Sequence, residues 1–319
     1  MPTTIKPAKK TAAHKNQKGD TIFKAAAIGA GGLVLMLMAG LFIELLSNSY
    51  LAIQKFGLTF LVSDAWNPVT EKFGALSSVY GTIVSTLIAI VIAVPLSLMT
   101  ALFLVELAPP FIAKPVGAAI ELLAAVPSII FGMWGLFVFA PFMADHVQPL
   151  LKNVFGFLPL FSGPPMGIGF LTAGIILALM ILPFITSVMR DVFTMVPPIV
   201  KEAAYGMGST TWEVTGKVTV KYGFSGLLGA VFMGLGRAVG ETMAVTFVIG
   251  NNHNISASLF AAGNSIASTL ANEFTEASKP MYLSSLVALG LVLFVLTLVI
   301  QIGAQFWIAK VAKRAGGGL

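Results

Sequence analysis

Six long apolar segments, each nearly free of charged residues, constrain the fold of this chain more than any other feature. A run of about 20 apolar residues is long enough to cross the hydrocarbon core of a bilayer as a helix. Charged residues make up only 10% of the 319 residues, against about 25% in a typical soluble domain. We therefore predict an all-α polytopic membrane protein. Its six predicted transmembrane helices are residues 22–46, 80–105, 115–141, 167–189, 224–250 and 282–308.

Lysine and arginine are divided unevenly between the two sets of connecting segments. With the N-terminus inside, fourteen of the nineteen lie in cytoplasmic segments, four lie in outer loops, and Arg237 lies within a span. Cytoplasmic loops of membrane proteins carry an excess of lysine and arginine. This distribution predicts that both termini are cytoplasmic.

Composition divides the chain into one membrane domain and two polar tails. Residues 1–20 are predicted to form a flexible basic cytoplasmic tail, residues 21–309 the six-span domain, and residues 310–319 a short cytoplasmic tail. The first apolar run is too long for the hydrophobic region of a signal peptide, and no convincing small-residue cleavage site follows it. We interpret it as a retained span.

The sequence lacks the residue patterns of the common catalytic and metal sites. It contains no cysteine, and its three histidines have no ligand-like spacing. The nearest approach to a phosphate-binding loop, Gly216-Lys217, is followed by Val218 rather than by serine or threonine. We predict no catalytic residue, no metal site and no cofactor in this chain. Any work that the protein performs must then draw its energy from another chain or from an ion gradient.

Prolines interrupt three of the predicted spans, at Pro95, Pro127 and Pro183. Proline removes a backbone hydrogen bond and kinks a helix, and the freed carbonyl group needs another partner inside a membrane. Broken helices in membrane proteins line cavities. The pattern therefore favours a bundle that surrounds a pathway over a passive anchor.

The segment between the fourth and fifth spans, residues 190–222, is the most informative polar stretch. Pro197 and Pro198 suit the first turn of a short helix, and Gly206 and Gly208 can end it. A second helix is predicted to start at Thr210, where Glu213 three positions later completes a capping box. The two helices either link two spans or include a docking element that moves with the spans.

Part of this loop resembles the EAA motif of binding-protein-dependent ABC-importer permeases. That motif runs E-A-A, three residues, G, nine residues and I-x-L-P. The chain matches its first half at Glu202-Ala203-Ala204 and Gly208. Val218 and Val220 replace the isoleucine and leucine, and Lys221 replaces the proline, which leaves open how the loop enters span five.

Other segments resemble the permease subunits of high-affinity phosphate importers within that family. They are residues 121–135 and 234–247, together with Ser162-Gly-Pro and Gly263-Asn-Ser-Ile. The likeness covers the chain from about Gly19 to about Lys313. It implies a type I importer bundle in the bacterial inner membrane, with a cytoplasmic coupling helix that includes Glu202, Ala203, Ala204 and Gly208.

The resemblance also implies partners. Permeases of this kind pair with a homologous second permease, PstA, and bind two copies of the ATPase PstB from below. The periplasmic phosphate-binding protein PstS delivers substrate from above. ATP and Mg²⁺ are then bound by the ATPase, and this chain is not itself an enzyme.

Arg237 and Glu241 lie inside the fifth predicted span. Arg237 is about 20 Å along a helix that starts at Phe224, where a charge costs on the order of 3 kcal/mol on insertion scales. Two interpretations remain open, a role in the substrate pathway or its gate, and a structural pair that neutralises both charges. Glu121, nearer the cytoplasmic end of span three, is either a structural carboxylate that water reaches or a substrate residue.

Three functions from different classes are candidates for this chain. The first is the permease subunit of an ATP-driven phosphate importer, with an importer for another oxyanion such as sulfate or molybdate as a close variant. The second is an ion-coupled transporter or channel without an ATPase. The third is an intramembrane enzyme, which the lack of a catalytic cluster argues against. Binding of an ATPase subunit to the chain would distinguish the first from the second.

Overall fold

The structure, a computed structural model, describes residues 17–314. Its regular elements within that range are helices, connected by turns and one isolated β-bridge between Asn67 and Lys72. The α-helices are α1 (Gln17–Asn48), α2 (Tyr50–Phe56), α3 (Thr59–Val62), α4 (Leu76–Leu102), α5 (Pro110–Ala124), α6 (Ser128–Trp134), α7 (Ala140–Phe142), α8 (Gln148–Phe155), α9 (Phe170–Thr194), α10 (Pro198–Gly206), α11 (Thr211–Glu213), α12 (Val220–Tyr222), α13 (Phe224–Val239), α14 (Met243–Val248), α15 (Ile266–Glu273) and α16 (Pro280–Arg314). Four π-helical segments extend or join them at Phe103–Leu107, Gly135–Phe139, Met143–Val147 and Val214–Thr219, and a 3₁₀ turn lies at Pro159–Phe161.

The number of spans agrees with the sequence prediction when a bent helix is counted as one. Five helical stretches of the described chain are long and apolar enough to cross a membrane, and a sixth candidate is a pair bent by 69° at Gly223. The five are Thr21–Asn48, Leu76–Leu107, Ser128–Phe155, Phe170–Thr194 and Pro280–Val311, and the bent pair is Thr211–Tyr222 with Phe224–Val239. The loop enters span five through this sharp bend. The bend follows Lys221, which stands where the EAA motif has proline.

The predicted bounds of the third span, residues 115–141, are wrong. Helix α5 ends at Ala124 and α6 starts at Ser128, so a break lies inside the predicted segment, and the long apolar stretch runs on to Phe155. Pro127 has no amide hydrogen to continue α5 and disfavours a helical conformation in the residue before it. Pro95 and Pro183 lie inside α4 and α9, which continue through them.

The described chain forms two units that divide between Ser47 and Asn48. Within the described residues, the first unit consists of α1 up to Ser47. The apolar side chains of this helix of 32 residues are nearly all exposed. The polar tails predicted at residues 1–20 and 310–319 lie largely outside the described residues. The parts of the two tails that the structure describes, residues 17–20 and 310–314, are helical, because α1 already begins at Gln17 and α16 ends at Arg314.

The second unit is organised around the packing of α4 against α9. Ala89, Ala93 and Ala101 recur at intervals of four or eight positions on α4 and are fully buried. Small residues in such a row let two helix backbones approach closely in a membrane. Ser97 lies in the same row and donates a hydrogen bond from Oγ to the carbonyl oxygen of Leu182 on α9, at 3.0 Å. Helices α5, α13 and α14 pack against this pair through α9.

Candidate functional site

Arg237 lies near the C-terminal end of α13, two positions before its last helical residue, Val239. Its guanidinium carbon Cζ lies 5.5 Å from the centre of the Phe184 ring on α9, a distance at which a cation and an aromatic face attract each other. The side chain is exposed on the isolated chain, and the ion pairs identified within residues 17–314 do not include it. Arg237 is thus a positive charge that contacts an aromatic ring and that is exposed on the surface of the single chain.

Glu241 does not continue α13, because the helix is interrupted at residues 240–242. Its carboxylate oxygen Oε1 accepts a hydrogen bond from the backbone N–H of Ala244 at 3.1 Å. That N–H belongs to the first turn of α14, where helix N–H groups lack partners and a negative charge is favourable. Glu241 therefore caps α14, and within residues 17–314 the ion pairs do not join its carboxylate to Arg237.

Two interrupted helices meet beside this site. Gly132 on α6 faces α14 so closely that a Cβ atom there would lie 3.0 Å from Ala244 Cα and 2.8 Å from the Phe247 ring. A residue with any side chain would push the two helices apart at this contact. Gly132 is four residues from the start of α6, and Ala244 is one residue from the start of α14. The breaks that precede these two helices therefore lie within about 6 Å of the contact, measured along the helix axes. Glu241 lies next to the point where the two interrupted spans come together, because its carboxylate bonds to the N–H of Ala244. Arg237 lies on the preceding helix, three residues before the break at residues 240–242.

The local structure predicted for residues 190–222 is confirmed. Pro197 precedes α10, and Pro198 occupies its first turn. Gly208 follows the helix with a φ of +85°. The N–H of Gly208 donates to the carbonyl oxygen of Tyr205, and that of Ser209 to the carbonyl oxygen of Ala204. These two bonds form a Schellman motif, which satisfies the last carbonyl groups of a helix and needs a left-handed residue.

The second helix of the loop starts as predicted, with Thr210 as its N-cap. The Thr210 hydroxyl accepts from the Glu213 N–H, and the Glu213 carboxylate accepts from the Thr210 N–H. Lys217 Nζ lies 2.9 Å from Glu213 Oε1. The hydrogen bond from Lys217, followed by those from Thr210, lowers the pKa of the exposed Glu213 carboxyl. The Glu213 carboxyl of the capping box is therefore ionised at neutral pH.

The residues of the EAA motif divide between the two faces of α10. Glu202 and Ala203 are exposed and Ala204 is buried. Large apolar side chains are exposed nearby on the loop, at Met195, Ile199, Met207 and Trp212. Exposed apolar side chains of this size, grouped around a short rigid helix, are typical of a surface that binds another protein.

Glu121 pairs with Arg190, which ties α5 to the C-terminal part of α9. The arginine lies over Gly117, where a Cβ atom would collide with its guanidinium group. The Glu121 carboxylate is exposed to more than half of its full extent. Of its two interpretations, this arrangement supports a structural carboxylate that water reaches.

Sequence reasoning missed a polar network at the opposite end of the second unit from residues 190–222. The Glu273 carboxylate on α15 accepts from Trp66 Nε1 at 2.6 Å and from the Tyr282 hydroxyl at 2.7 Å. His253 Nε2 lies 2.9 Å from its other oxygen, and the indole of Trp66 stacks on the imidazole with ring centres 5.4 Å apart. Trp66 is 207 positions from Glu273 in sequence, so no local pattern could have revealed the network.

Asn264 sets the tautomer of His253. The Asn264 side-chain oxygen accepts from the hydroxyls of Ser268 and Thr269, so its amide nitrogen faces His253 Nδ1 at 2.7 Å. Because an amide nitrogen can only donate, Nδ1 accepts, and the ring proton lies on Nε2 and points to Glu273. Burial raises the pKa of Glu273, but hydrogen bonds from His253, Tyr282 and Trp66 outweigh it and lower that pKa overall.

Metal ligands do not converge in the described part of the chain. Within residues 17–314, no three His, Asp or Glu side chains lie close enough together to hold a metal ion. The candidate site therefore consists of one arginine and one glutamate at the helix breaks and of the exposed loop around α10.

A helical membrane bundle with interrupted spans and an exposed EAA loop has the architecture of an importer permease. Residues 93–313 match the family described as "binding-protein-dependent transport system inner membrane component". The chain belongs to this family.

Relatives within the family cover nearly the whole chain. The chain is 55% identical over 301 residues to the phosphate transport system permease protein PstC of Mesorhizobium japonicum. The matched region covers 93% of this chain and 92% of the relative. Identity to the Haemophilus influenzae protein of the same name is 49%, covering 93% and 95% of the two chains. A probable PstC of Methanocaldococcus jannaschii is 36% identical and covers 82% and 85%.

Solved structures share the fold at low sequence identity. A chain of a bacterial alginate ABC transporter, in complex with a periplasmic protein that holds an alginate pentasaccharide, superposes with a TM-score of 0.57 at 15% identity. The superposition covers 90% of this chain and 93% of that one. A chain of the inward-facing MetNI methionine ABC transporter gives 0.51 at 18% identity, covering 75% and 94%. These likenesses establish the fold alone.

Proposed function

We propose that this chain is a membrane subunit of an ATP-driven phosphate importer and forms half of its translocation pathway. The observation that carries the proposal is the 55% identity over 93% of the chain to a protein named as a phosphate permease. Identity at that level over nearly the whole chain favours the same substrate class as well as the same fold. The fold-level neighbours transport other substrates, so they favour an importer but do not select phosphate.

The partners proposed are a homologous permease of the PstA type, an ATPase dimer of the PstB type and a binding protein of the PstS type. Helix α10 is the proposed contact with the ATPase, since it exposes Glu202 and Ala203 beside large apolar side chains. A rigid helix with a satisfied C-terminus transmits displacement better than an unstructured loop. ATP and Mg²⁺ belong to the ATPase in this proposal, and both termini lie in the cytoplasm.

Arg237 is proposed to serve the phosphate pathway. An anion that crosses a bundle of low dielectric constant needs a fixed positive charge or a set of oriented donors. Arg237 is exposed on one chain and lies on the helix that ends at the break of residues 240–242, where a second permease would enclose it. Glu241 is proposed to influence the gate through α14, whose first turn it caps.

The test is phosphate uptake into proteoliposomes that contain the purified complex, with the ATPase and the binding protein present or omitted. Uptake should require both, together with ATP inside the compartment that the ATPase faces. Sulfate and molybdate at the same concentration should compete weakly. Strong competition by either would reassign the substrate to another oxyanion. Uptake by this chain alone under a proton or sodium gradient would overturn the importer and favour an ion-coupled transporter.

A further inference from the structure

An ion pair attaches α10 to the end of span two. Lys201 Nζ lies 2.6 Å from Glu106 Oε1, and Glu106 belongs to the π-helical segment Phe103–Leu107 that follows α4. The two side chains are 18% and 8% exposed. The Lys217–Glu213 pair in the same loop is 76% and 41% exposed, so the two ion pairs lie in very different surroundings.

Lys201 and Glu202 are neighbours in sequence but face in different directions. Successive residues of an α-helix are rotated by about 100°, so Lys201 turns inward with Ala204 while Glu202 stays exposed. One side of α10 is therefore available to a partner, and the other is fixed to the membrane bundle by a charged contact. A force applied to the exposed side reaches Glu106 through this contact.

Span two is well placed to pass such a movement on. Helix α4 packs along α9 and also contacts α13, which carries Arg237. Apart from the Lys201–Glu106 pair, α10 is joined to the bundle by its packing and by the chain on either side of it. Breaking one partner of an enclosed ion pair is costly, because the other charge is left without compensation. The pair therefore holds α10 and the end of span two together when either moves.

We propose that the Lys201–Glu106 ion pair is the positioning link through which a displacement of α10 reaches span two. The inference rests on the proposed function, because it assumes that an ATPase displaces α10. The two residues do not touch substrate or nucleotide. They keep the docking helix and the pathway helix in a fixed relation during the transport cycle.

The first experiment measures phosphate imported per ATP hydrolysed by the assembled complex in proteoliposomes. The decisive variant is the double change Lys201→Met with Glu106→Gln, since it removes the link without leaving an isolated charge. We expect normal assembly and ATP hydrolysis, with the transport ratio reduced about tenfold, within the range typical of coupling between two sites. The charge exchange Lys201→Glu with Glu106→Lys should recover most of the ratio. Lys217→Met, which breaks the exposed pair of the same loop, should leave the ratio unchanged.

The outcomes separate this inference from the proposed function. A double variant that transports as much phosphate per ATP as the unmodified complex would show that the pair is only a structural contact. Loss of ATP hydrolysis and of transport in equal proportion, with a lower complex yield, would lead to the same conclusion. If the unmodified complex shows no ATP-dependent uptake, the proposed function itself fails.

A second measurement does not depend on transport. The chain has no cysteine, so spin labels can be placed at Leu107→Cys and Tyr205→Cys, both exposed positions. With the link intact, the distance between the labels should stay the same with and without ATP bound to the complex. In the double variant, ATP should shift or broaden that distance. A nucleotide-dependent change in the presence of the intact link would overturn the proposal.

Discussion

Arg237 and Glu241 are four positions apart, yet the carboxylate of Glu241 bonds to the N–H of Ala244 and not to the guanidinium of Arg237. The cause is the interruption of the helix between Val239 and Met243. A pairing of residues i and i+4 requires a continuous helix. The two charges therefore have separate surroundings, Phe184 for the arginine and the first turn of α14 for the glutamate, and their substitutions should have separable effects.

Arg237→Gln should reduce phosphate uptake by roughly a hundredfold, the factor that corresponds to about 3 kcal/mol for a charge near the middle of a membrane. Complex yield and thermal stability should change little, because no carboxylate loses its partner. Uptake and yield are measured on the same preparations. Arg237→Lys keeps the charge and should retain part of the uptake. A double variant of Arg237→Gln and Glu241→Gln that regains full uptake would show that the two residues form a structural pair after all.

The Glu241 side chain is both a negative charge and the cap of the first turn of α14, and two substitutions distinguish these two roles. Glu241→Gln keeps a side-chain oxygen that can accept from Ala244, so its Tm should lie close to that of the unmodified chain. Glu241→Ala loses the cap, at a cost of about 0.5–2 kcal/mol. We expect both variants to lower uptake, because the gating role requires the charge. Normal uptake by Glu241→Gln would confine this residue to capping.

Glu202→Lys should impair contact with the ATPase while the chain remains in the membrane. A reversed charge on an exposed face opposes a complementary partner without disturbing the core. The measurement is the amount of ATPase that co-purifies with the membrane subunits, together with uptake. Glu276→Lys is the matched control, an exposed glutamate changed in the same way near α15. Equal recovery of the ATPase with both variants would contradict a docking role for α10.

The Glu273 network predicts a pH dependence of stability. Because hydrogen bonds lower the pKa of this carboxyl below its ordinary value of 4.5, the folded state binds the proton less readily than the unfolded state. Its contribution is therefore complete above that value and is lost as the pH falls through the lower folded pKa. Glu273→Gln should cost about 2–3 kcal/mol at neutral pH, and that difference should shrink in acid.

Thermal unfolding in detergent, from about pH 3.5 to about pH 7, measures this effect. Glu276→Gln, three positions further on, is the control and should match the unmodified chain throughout. A difference between Glu273→Gln and the unmodified chain that stays constant down to the lowest pH would contradict the assignment. The Trp66 indole, which donates to Glu273, provides a fluorescence signal for the same transition.

The parts of the structure that sequence reasoning predicted are those with local causes. Pro198, Gly208 and the Thr210–Glu213 capping box each act within a few residues, and the helices around them form where the pattern indicated. The apolar spans are also a local signal, because the bilayer selects length and composition. The break before α14 lies inside the predicted span 224–250 and is not evident from the sequence, since residues 240–242 contain no proline and are flanked on both sides by apolar residues.

Contacts between distant segments could not be predicted. Glu106 and Lys201 are 95 positions apart, and each looks like an ordinary charge near a membrane surface. The same holds for His253 and Trp66, whose stacking depends on how two separate loops fold over one end of the bundle. Pairing of this kind follows from tertiary packing, which periodicity and composition do not encode.

Gly208 and Gly206 form a matched pair for testing whether the shape of α10 matters. Neither has any atom within 4 Å of where a Cβ would lie, but only Gly208 has a left-handed backbone, with φ of +85°. Gly208→Ala should therefore cost about 1 kcal/mol through backbone strain alone, and it should weaken the Schellman bonds of Ser209 and Gly208 to the helix. Gly206→Ala lies in the helix itself and should be neutral or stabilising by up to about 1 kcal/mol.

Hydrogen exchange of the α10 amides in the assembled complex measures the difference. Exchange should be about fivefold faster in Gly208→Ala, the factor that corresponds to about 1 kcal/mol, and unchanged or slower in Gly206→Ala. If a rigid α10 is what engages the ATPase, co-purification of the ATPase should fall in the first variant and not in the second. Faster exchange without any loss of the ATPase would mean that the partner orders the helix when it binds, so that the Schellman motif contributes to the isolated chain only.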